Sequence, residues 1–402
     1  MPDYVRADRP AQRRNRLVRL GVLTLGLVII TVIGIGHQLG WAKVVGVDAL
    51  CPFGGIETMW SLLISATFLQ RVAASSVVLL AIVFAIAAVF RRSFCGYICP
   101  FGALQELFAR AGSLLWGRRR PHMPAVLDRP ARYLKYVVLA VFAVWSWQAA
   151  ELVLRPYDPW VVWMHLGSSD LTEVFAEFTI GFVVLGVSLV GSFVYDRFFC
   201  TYLCPMGAFL AIASRISIFR IRRDMATCID CKACDKACPV NVIVSTVETV
   251  NSPECIDCSE CVNACPVKDT LTVSGPKNRS GRRMRLSTMA VLGSVIAIIT
   301  VGLALTTATG TFAWTTPSLG TVTPGTTATA SSFDVENIKG SMSFEEISKA
   351  TGIPAEAFMQ QFGVTEDEMN KPMKEFAEAK GFEVKTDVRE WVKQQLEAAG
   401  TE

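Results

Sequence analysis

The chain has 402 residues, of which 51% are hydrophobic and only 18% are charged, and its formal net charge is +4. This composition is typical of a membrane protein and excludes a disordered chain. The basic residues lie at the ends of apolar stretches rather than on one continuous face, so we expect no nucleic-acid partner.

Five apolar stretches are long enough to cross a bilayer, which takes about 20 residues. They predict a mainly α-helical, polytopic bundle in the cytoplasmic membrane of a bacterium or an archaeon, with membrane lipid as its surroundings. The stretches are Leu20–Ala42, Val72–Phe90, Leu134–Leu154, Phe178–Tyr195 and Leu286–Phe312.

The distribution of charge around these stretches predicts their orientation. Six Arg and two Asp precede the first stretch, and Arg91–Lys135 holds nine basic and two acidic residues, whereas Glu151–Glu177 holds one Arg and five acidic residues. Because short cytoplasmic loops carry an excess of Lys and Arg, we expect the N-terminus and residues 213–285 in the cytoplasm. With five spans, the C-terminal tail is then expected outside the cytoplasm.

A ten-residue unit occurs twice, after the second and the fourth stretch: FCGYICPFGA at Phe94–Ala103 and FCTYLCPMGA at Phe199–Ala208. Seven of the ten positions are identical at an offset of 105 residues. Two cysteines spaced i, i+4 face the same side of a helical turn, and the following proline opens the next helix. A pseudo-twofold repeat of this unit predicts one iron–sulfur cluster at the membrane surface. Its ligands are predicted to be Cys95, Cys99, Cys200 and Cys204.

Three arginines beside these units, Arg91, Arg92 and Arg197, are expected to offset the negative charge of the thiolates. The stretches that follow, Ala103–Trp116 and Ala208–Phe219, mix apolar and charged residues at helical spacing and are predicted to lie along the cytoplasmic surface. The alternative interpretation is that the four cysteines are buried apolar thiols without a ligand.

The pattern Cys-x2-Cys-x2-Cys-x3-Cys-Pro also occurs twice, ending at Pro239 and Pro266. This spacing is that of bacterial two-cluster ferredoxins, in which the fourth cysteine of each run ligates the other cluster. Zinc sites more often use pairs of Cys-x-x-Cys, and a cytoplasmic location argues against disulfides. We therefore predict one 4Fe–4S cluster on Cys228, Cys231, Cys234 and Cys265 and a second on Cys255, Cys258, Cys261 and Cys238.

The C-terminal part has a different composition. Thr315–Ser332 carries no charge and reads as a flexible linker, and Glu336–Glu402 holds fourteen acidic and eight basic residues without Cys or His. Ser343–Glu346 and Thr365–Glu368 match the capping-box pattern. We predict a small helical domain that docks a partner rather than binding a redox metal. Its core is predicted to contain Ile347, Ile353, Phe358, Phe362, Met369, Phe376, Phe382, Val392 and Leu396.

Polar residues on the predicted extracytoplasmic side allow three interpretations. His37 and His165 are flanked by tryptophans, which is typical of an interfacial aromatic belt. A haem between facing histidines is the second interpretation and is not expected. The third is a quinone pocket that uses His37, Glu57, Asp158 or His165. Cys51 stands where the second repeat has Asp158; a lone cysteine is commonly inert, and a ligand or redox role for Cys51 stays open.

With these motifs in this order, the chain resembles the NapH/NosR family of membrane-bound polyferredoxins over roughly residues 15–275. The resemblance implies electron transfer between the quinone pool and a redox partner, with the cysteines named above as cluster-related residues. NosR-like members carry an N-terminal flavin domain, and nothing before Leu20 matches one, so we expect no flavin. The fifth span and the tail lie outside the resemblance, so it does not identify the partner.

The predicted architecture is a helical membrane bundle of two pseudo-symmetric repeats with an inserted two-cluster ferredoxin-like module and a small helical extracytoplasmic domain. In chain order the predicted parts are a basic cytoplasmic N-terminus (1–16), the first membrane repeat (17–116), the second membrane repeat (117–220), the ferredoxin module (221–276), the fifth span (286–312), the linker (313–332) and the helical domain (333–402).

Three functions fit this architecture. The first is an electron-transfer subunit between quinone and the redox partner subunits of a larger complex, without a catalytic residue of its own. The second is an assembly or metal-reduction factor for a respiratory metalloenzyme. The third is a redox-responsive regulator with the tail as its output.

Overall fold

The computed structural model describes residues 5–38, 52–56, 74–116, 124–149, 154–167, 174–175, 178–277, 281–312, 338, 342–371, 373 and 376–399. The chain divides into two compact units, Met1–Thr316 and Pro317–Glu402, which are described separately below.

The first unit begins with the long helix α1 (Arg9–Gln38), and two helical repeats follow it. In each repeat an apolar helix leads into a five-residue helix and then into a helix that begins at the proline of the ten-residue unit. The first repeat contains α2 (Ala74–Phe90), α3 (Ser93–Tyr97) and α4 (Pro100–Trp116). After α5 (Ala125–Ala131), the second repeat contains α6 (Leu134–Ala149), α7 (Pro159–His165), α8 (Thr179–Val194), α9 (Phe198–Tyr202) and α10 (Pro205–Ala213).

Two described helices are long and apolar enough to cross a membrane, Arg9–Gly36 and Thr288–Ala308. The other apolar helices are shorter than the five predicted spans required. Helix α2 has 17 residues and α8 has 16, or about 25 Å each, against a hydrocarbon core of about 30 Å. Both helices end where the backbone turns, with positive φ angles of 60° at Arg91 and 50° at Arg197. The five-span bundle therefore stays a prediction.

The ferredoxin module follows the second repeat and contains a three-stranded antiparallel sheet in the order β1–β2–β3. Its strands are β1 (Arg220–Arg223), β2 (Leu271–Lys277) and β3 (Arg283–Leu286), and its short helices are α11 (Ala233–Lys236) and α12 (Glu260–Ala264). Helix α13 (Thr288–Ala308) comes next, with Ser287 as its N-cap.

One continuous apolar core joins the module to the first repeat. Val83 and Ile86 of α2 belong to the same buried cluster as Cys95, Tyr97 and the valines of the module. Backbone N–H groups of Ile218 and Phe219 donate to carbonyl groups at the end of α2, at 3.1 and 2.9 Å. The module is thus packed directly against the first helical repeat rather than tethered to it.

The second unit contains α14 (Phe344–Thr351), α15 (Ala355–Phe362), α16 (Ala377–Lys380) and α17 (Arg389–Ala399). Ser343 and Glu346 form a complete capping box at the start of α14. The Thr365 N–H donates to Glu368, which is also paired with Lys380 at 2.7 Å, but residues 366–370 form turns rather than a helix. All nine side chains predicted for the core pack in one apolar cluster, with the rings of Phe358, Phe362, Phe376 and Phe382 around Phe344.

Candidate functional site

The two ten-residue units adopt the same local structure. In the first, the Cys99 N–H donates to the Phe94 carbonyl at 2.9 Å; in the second, the Cys204 N–H donates to the Phe199 carbonyl at the same distance. The proline that follows each second cysteine begins the next helix, where its missing N–H costs no hydrogen bond. The repeat seen in the sequence is therefore also a repeat of structure.

All four cysteines of these units line one cavity of about 310 Å³: Cys95, Cys99, Cys200 and Cys204. The rest of its wall is mostly apolar and aromatic, and includes Phe101, Phe142 and Trp160. Pro52 and Pro159, from equivalent positions of the two repeats, also line it. The structure thus brings the four predicted ligands to a single chamber between the repeats.

Each repeat places an arginine side chain against a glycine of the other repeat. Arg197 Nη1 lies 2.6 Å from the position that a Cβ atom on Gly102 would take, and Arg92 Nη2 lies 2.7 Å from the corresponding position on Gly207. The same Arg197 nitrogen donates to the Cys95 carbonyl at 2.5 Å. Any side chain at either glycine would displace the guanidinium of the opposite repeat, so each half of the site depends on the other.

The electrostatics of the chamber fit an anionic group. Arg92 and Arg197 are fully buried and interact electrostatically with the nearby thiols, Arg92 with Cys95 and Arg197 with Cys200. The Nε atoms of both arginines have no hydrogen-bond partner among the described residues. Buried donors are normally paired, so the Nε of Arg92, which lines the cavity, calls for an acceptor there. Four thiols, two buried cations and a shared cavity suit an iron–sulfur cluster held by thiolates.

Each arginine also has a carboxylate partner. Glu106 binds Arg197 at 2.9 Å and Arg19 at 2.7 Å, and Glu254 binds Lys135 at 2.5 Å and Arg92 at 3.6 Å. Burial tends to raise the pKa of Glu106, but the guanidinium groups of Arg19 and Arg197 outweigh it and hold the pKa at about 2. Glu106 is therefore ionised at neutral pH and holds Arg19 and Arg197 in place.

Gln105 is a further buried contact to one of the thiols. Its side-chain N–H donates to Cys200 Sγ at 3.1 Å, and its carbonyl oxygen accepts from the Phe199 N–H at 3.0 Å. Hydrogen bonds to cluster sulfurs shift reduction potentials. Sequence analysis missed Gln105 because its counterpart in the second repeat, 105 residues later, is Leu210.

Seven of the eight cysteines of the ferredoxin module fall into the two groups that crossed ligation requires: the first group contains Cys228, Cys231 and Cys265, and the second contains Cys238, Cys255, Cys258 and Cys261. The Cys238 thiol interacts electrostatically with Cys255, Cys258 and Cys261, and burial together with Cys258 raises its pKa to about 11. The Cys265 thiol interacts in the same way with Cys231 and with Cys228 of the other run. In the described part of the chain, no three His, Cys, Asp or Glu side chains surround a single metal-ion position. Ligation of the clusters themselves stays a prediction.

The two groups differ in exposure. Cys231 is exposed and Cys228 is partly exposed, whereas Cys255, Cys258 and Cys261 are each at most 7% exposed. Cys265 of the first group and Cys234, which is predicted to join it, are also buried, and Cys238 of the second group is partly exposed, so the difference in exposure rests on Cys231 and Cys228.

Replacing Cys238 by Ser is expected to remove the cluster held by Cys255, Cys258 and Cys261, because the Cys238 thiol lies with that group. The matched variant Cys234→Ser should remove the other cluster. Electron paramagnetic resonance of the reduced protein distinguishes the two signals. If Cys238→Ser removes the signal that Cys234→Ser removes, the crossed arrangement is wrong.

Of the two residues predicted for quinone whose side chains the structure describes, Asp158 lies at the cavity and His165 does not. Asp158 accepts a hydrogen bond from the Trp160 N–H at 2.9 Å. The His165 ring packs against Phe178, with ring centroids 5.0 Å apart, and its Nδ1 is 2.8 Å from the Val161 carbonyl oxygen. The side chain of His37, together with Glu57 and Cys51, lies outside the described residues.

Two family models match the chain. A 4Fe-4S binding domain matches residues 72–124 and again residues 178–224, so each match contains one of the ten-residue units. A 4Fe-4S dicluster domain matches residues 220–266, which contain all eight cysteines of the module.

Several curated proteins are similar to the chain. The putative electron transport protein YccM of Escherichia coli is 31% identical over 261 residues, covering 63% of this chain and 72% of YccM. Protein NirI of Paracoccus denitrificans is 35% identical over 158 residues, covering 38% of this chain and 22% of NirI. Ferredoxin-type protein NapH of E. coli is 25% identical over 169 residues, covering 42% of this chain and 54% of NapH. No solved structure matches the chain.

Proposed function

Because the chain belongs to the family of ferredoxin-type 4Fe–4S membrane proteins that includes YccM, NirI and NapH, we propose that it passes electrons between membrane quinone and a redox partner protein. The observation that carries this proposal is the cavity shared by the four cysteines of the two repeats. Iron–sulfur clusters on the thiols would supply one-electron transfer.

With the cluster held by the four cysteines, we propose that the quinone ring binds against the remaining wall of the cavity. That wall is mostly apolar and aromatic, as is typical of pockets for small organic ligands, and includes Val138, Phe142 and Leu154. Tyr157 and Asp158 contribute polar groups to the same wall. Oxidation of a quinol to the quinone releases two electrons and two protons, and its reduction takes up the same number. The electrons go to or come from the partner protein, and the protons are exchanged with water.

The exposed Cys231 suggests where the partner binds. It is the one exposed cysteine among the described residues, so a redox protein in the cytoplasm would exchange electrons nearest Cys231. The positive-inside distribution of Arg and Lys supports a cytoplasmic module. We also propose that the C-terminal helical unit, with its excess of acidic residues, docks a partner subunit on the other side of the membrane.

A large side chain at Val138 tests the quinone site. Val138 lines the cavity from α6, so Val138→Trp is expected to fill it and to lower quinone-linked electron transfer by about tenfold or more. Val141, three residues further along α6, is 52% exposed and is not among the residues that line the cavity, so Val141→Trp is the matched control. The measurement is oxidation of the dithionite-reduced protein by a water-soluble quinone analogue.

Iron content and melting temperature show whether either variant disturbs the fold. If Val138→Trp keeps its iron and reacts with the quinone analogue as fast as Val141→Trp, quinone does not use this cavity.

A further inference from the structure

The ferredoxin module forms hydrogen bonds to the first ten-residue unit and to the two arginines that precede it. Arg91 donates to the Ser252 carbonyl, and Arg92 Nη1 donates to the Pro253 carbonyl at 3.2 Å. Further along the unit, the buried Tyr97 hydroxyl donates to Ser259 Oγ at 2.9 Å. These acceptors flank the Cys255–Cys258 loop on both sides, so the loop is held against α3.

The equivalent groups of the second unit bind elsewhere. Arg197 donates to the Cys95 carbonyl and pairs with Glu106. The Tyr202 hydroxyl, which corresponds to Tyr97, donates to Asp128 Oδ1 at 2.6 Å. Phe199 of the second unit packs in a different apolar cluster from the one that joins Tyr97 to the module. The pseudo-twofold relation of the repeats is therefore broken by the docking of the module.

One of the three positions that differ between the two units explains this choice. A Cβ atom on Gly96 would lie 2.6 Å from the Ile256 carbonyl oxygen and 3.2 Å from Cys258 Cβ. The second unit has Thr201 at the equivalent position, buried and hydrogen-bonded to the Arg197 carbonyl at 2.9 Å. Any side chain at position 96 would require the Cys255–Cys258 loop to retreat by about 1 Å to reach ordinary contact distance.

We propose that Gly96 is a positioning residue. It lets the cysteine group that contains Cys258 approach the four thiols of the ten-residue units. The module is thereby coupled to those thiols through the first repeat and not through the second. This proposal rests on the proposed function, because it concerns electron transfer between the two sites. Gly96 directly follows Cys95, so the contact brings Cys258 next to a neighbour of a predicted membrane ligand. Transfer rates fall steeply with separation, so a forced retreat of the loop slows transfer without removing a ligand.

Alanine at the two equivalent positions tests the proposal. Gly96→Ala is expected to keep its iron but to slow electron exchange between the module and the membrane site severalfold, because the rate of electron tunnelling falls exponentially with the separation of the two centres. It should also weaken the magnetic interaction between the two reduced sites in electron paramagnetic resonance spectra. Thr201→Ala is the matched control and should leave both quantities unchanged. The full chain is purified in detergent, reduced with dithionite and freeze-quenched after mixing with a water-soluble quinone analogue.

A second pair of variants covers the case in which Gly96→Ala fails to fold. Tyr97→Phe removes only the hydrogen bond to Ser259, and Tyr202→Phe removes only the one to Asp128. We expect Tyr97→Phe to weaken the magnetic interaction and Tyr202→Phe to leave it unchanged. Equal effects within both pairs, or wild-type behaviour of Gly96→Ala and Tyr97→Phe with full iron, would overturn the proposal. Wild-type protein with the iron of the ferredoxin pair alone would instead disprove the membrane cluster, and this proposal with it.

Discussion

Serine in place of any one of the four cysteines of the ten-residue units is expected to remove the same cluster and to stop quinone-linked electron transfer. All four thiols line one cavity, and four cysteines hold one iron–sulfur cluster. Iron should fall from about twelve atoms per chain to about eight if the site holds 4Fe–4S, or from about ten to about eight if it holds 2Fe–2S. The variants are Cys95→Ser, Cys99→Ser, Cys200→Ser and Cys204→Ser.

The control for this series is Cys231→Ser in the module. It should remove about four iron atoms as well, but from a different cluster, and leave the membrane signal in the spectrum. Two distinct signals lost within the series, one for each repeat, would show that the units bind separately. Iron and activity that survive all four changes would show that the cysteines are structural.

Replacing Glu106 by Gln is expected to destabilise the first unit strongly. The change leaves the fully buried Arg197 without its carboxylate partner and leaves the fully buried Arg19 with Glu260 alone, at 3.2 Å. Removal of one partner from a buried ion pair costs about 3–5 kcal/mol. For a unit of this size the melting temperature should fall by about 10 °C. Tryptophan fluorescence of the purified protein in detergent measures the transition.

Arg110 provides the matched control, because it binds the same carboxylate from the surface. Its side chain is 47% exposed and lies 3.1 Å from Glu106. Surface pairs contribute about 0–1 kcal/mol, so Arg110→Gln should change the melting temperature by only about 2 °C. Similar shifts in the two variants would mean that the buried cluster of charges contributes little to stability.

The same carboxylate gives the protein an acid limit. The pKa of Glu106 is lowered from 4.5 to about 2 in the folded state. A group with a lowered folded-state pKa contributes its full stabilisation above its unfolded pKa and loses it as the pH falls through the folded one. The contribution of Glu106 is therefore complete above about pH 4.5 and is lost between there and about pH 2. Glu106→Gln should remove this part of the acid dependence.

The features that could be predicted from the sequence depend on the spacing of residues close together in the chain. Ligand positions within a cysteine run, and the turn after each Cys-x-x-x-Cys-Pro unit, depend on residues within one or two helical turns. The pairing of Ser343 with Glu346 is of the same kind. Such features follow from the chain itself, which is why the candidate ligands and the capping box of α14 could be derived without coordinates.

Contacts between residues far apart in the chain could not be predicted from the sequence. The identical glycines of the two units were visible as a repeat. Arg197 fills the space over Gly102, and Arg92 fills the space over Gly207. These two contacts depend on how the repeats pack against each other, which the repeat alone does not show. The difference between Gly96 and Thr201 was equally visible and had no meaning until the Cys255–Cys258 loop was placed over it. The exact helix ends could not be read from apolar composition either: the predicted span Phe178–Tyr195 is the helix Thr179–Val194, and the ends of α2 at Ala74 and of α6 at Ala149 border on residues outside the described ranges.

The reciprocal contact of arginines with glycines has a consequence for the origin of the chain. Arg92 of one half meets Gly207 of the other, and Arg197 meets Gly102 in return. A reciprocal contact of this form is the contact of a twofold homodimer, in which one surface patch meets its own copy. A single, unduplicated repeat makes both contacts by pairing with a second molecule of itself. Fusion of two such genes then keeps the joint site and frees one copy to diverge, as the glycine at position 96 and the threonine at position 201 have done.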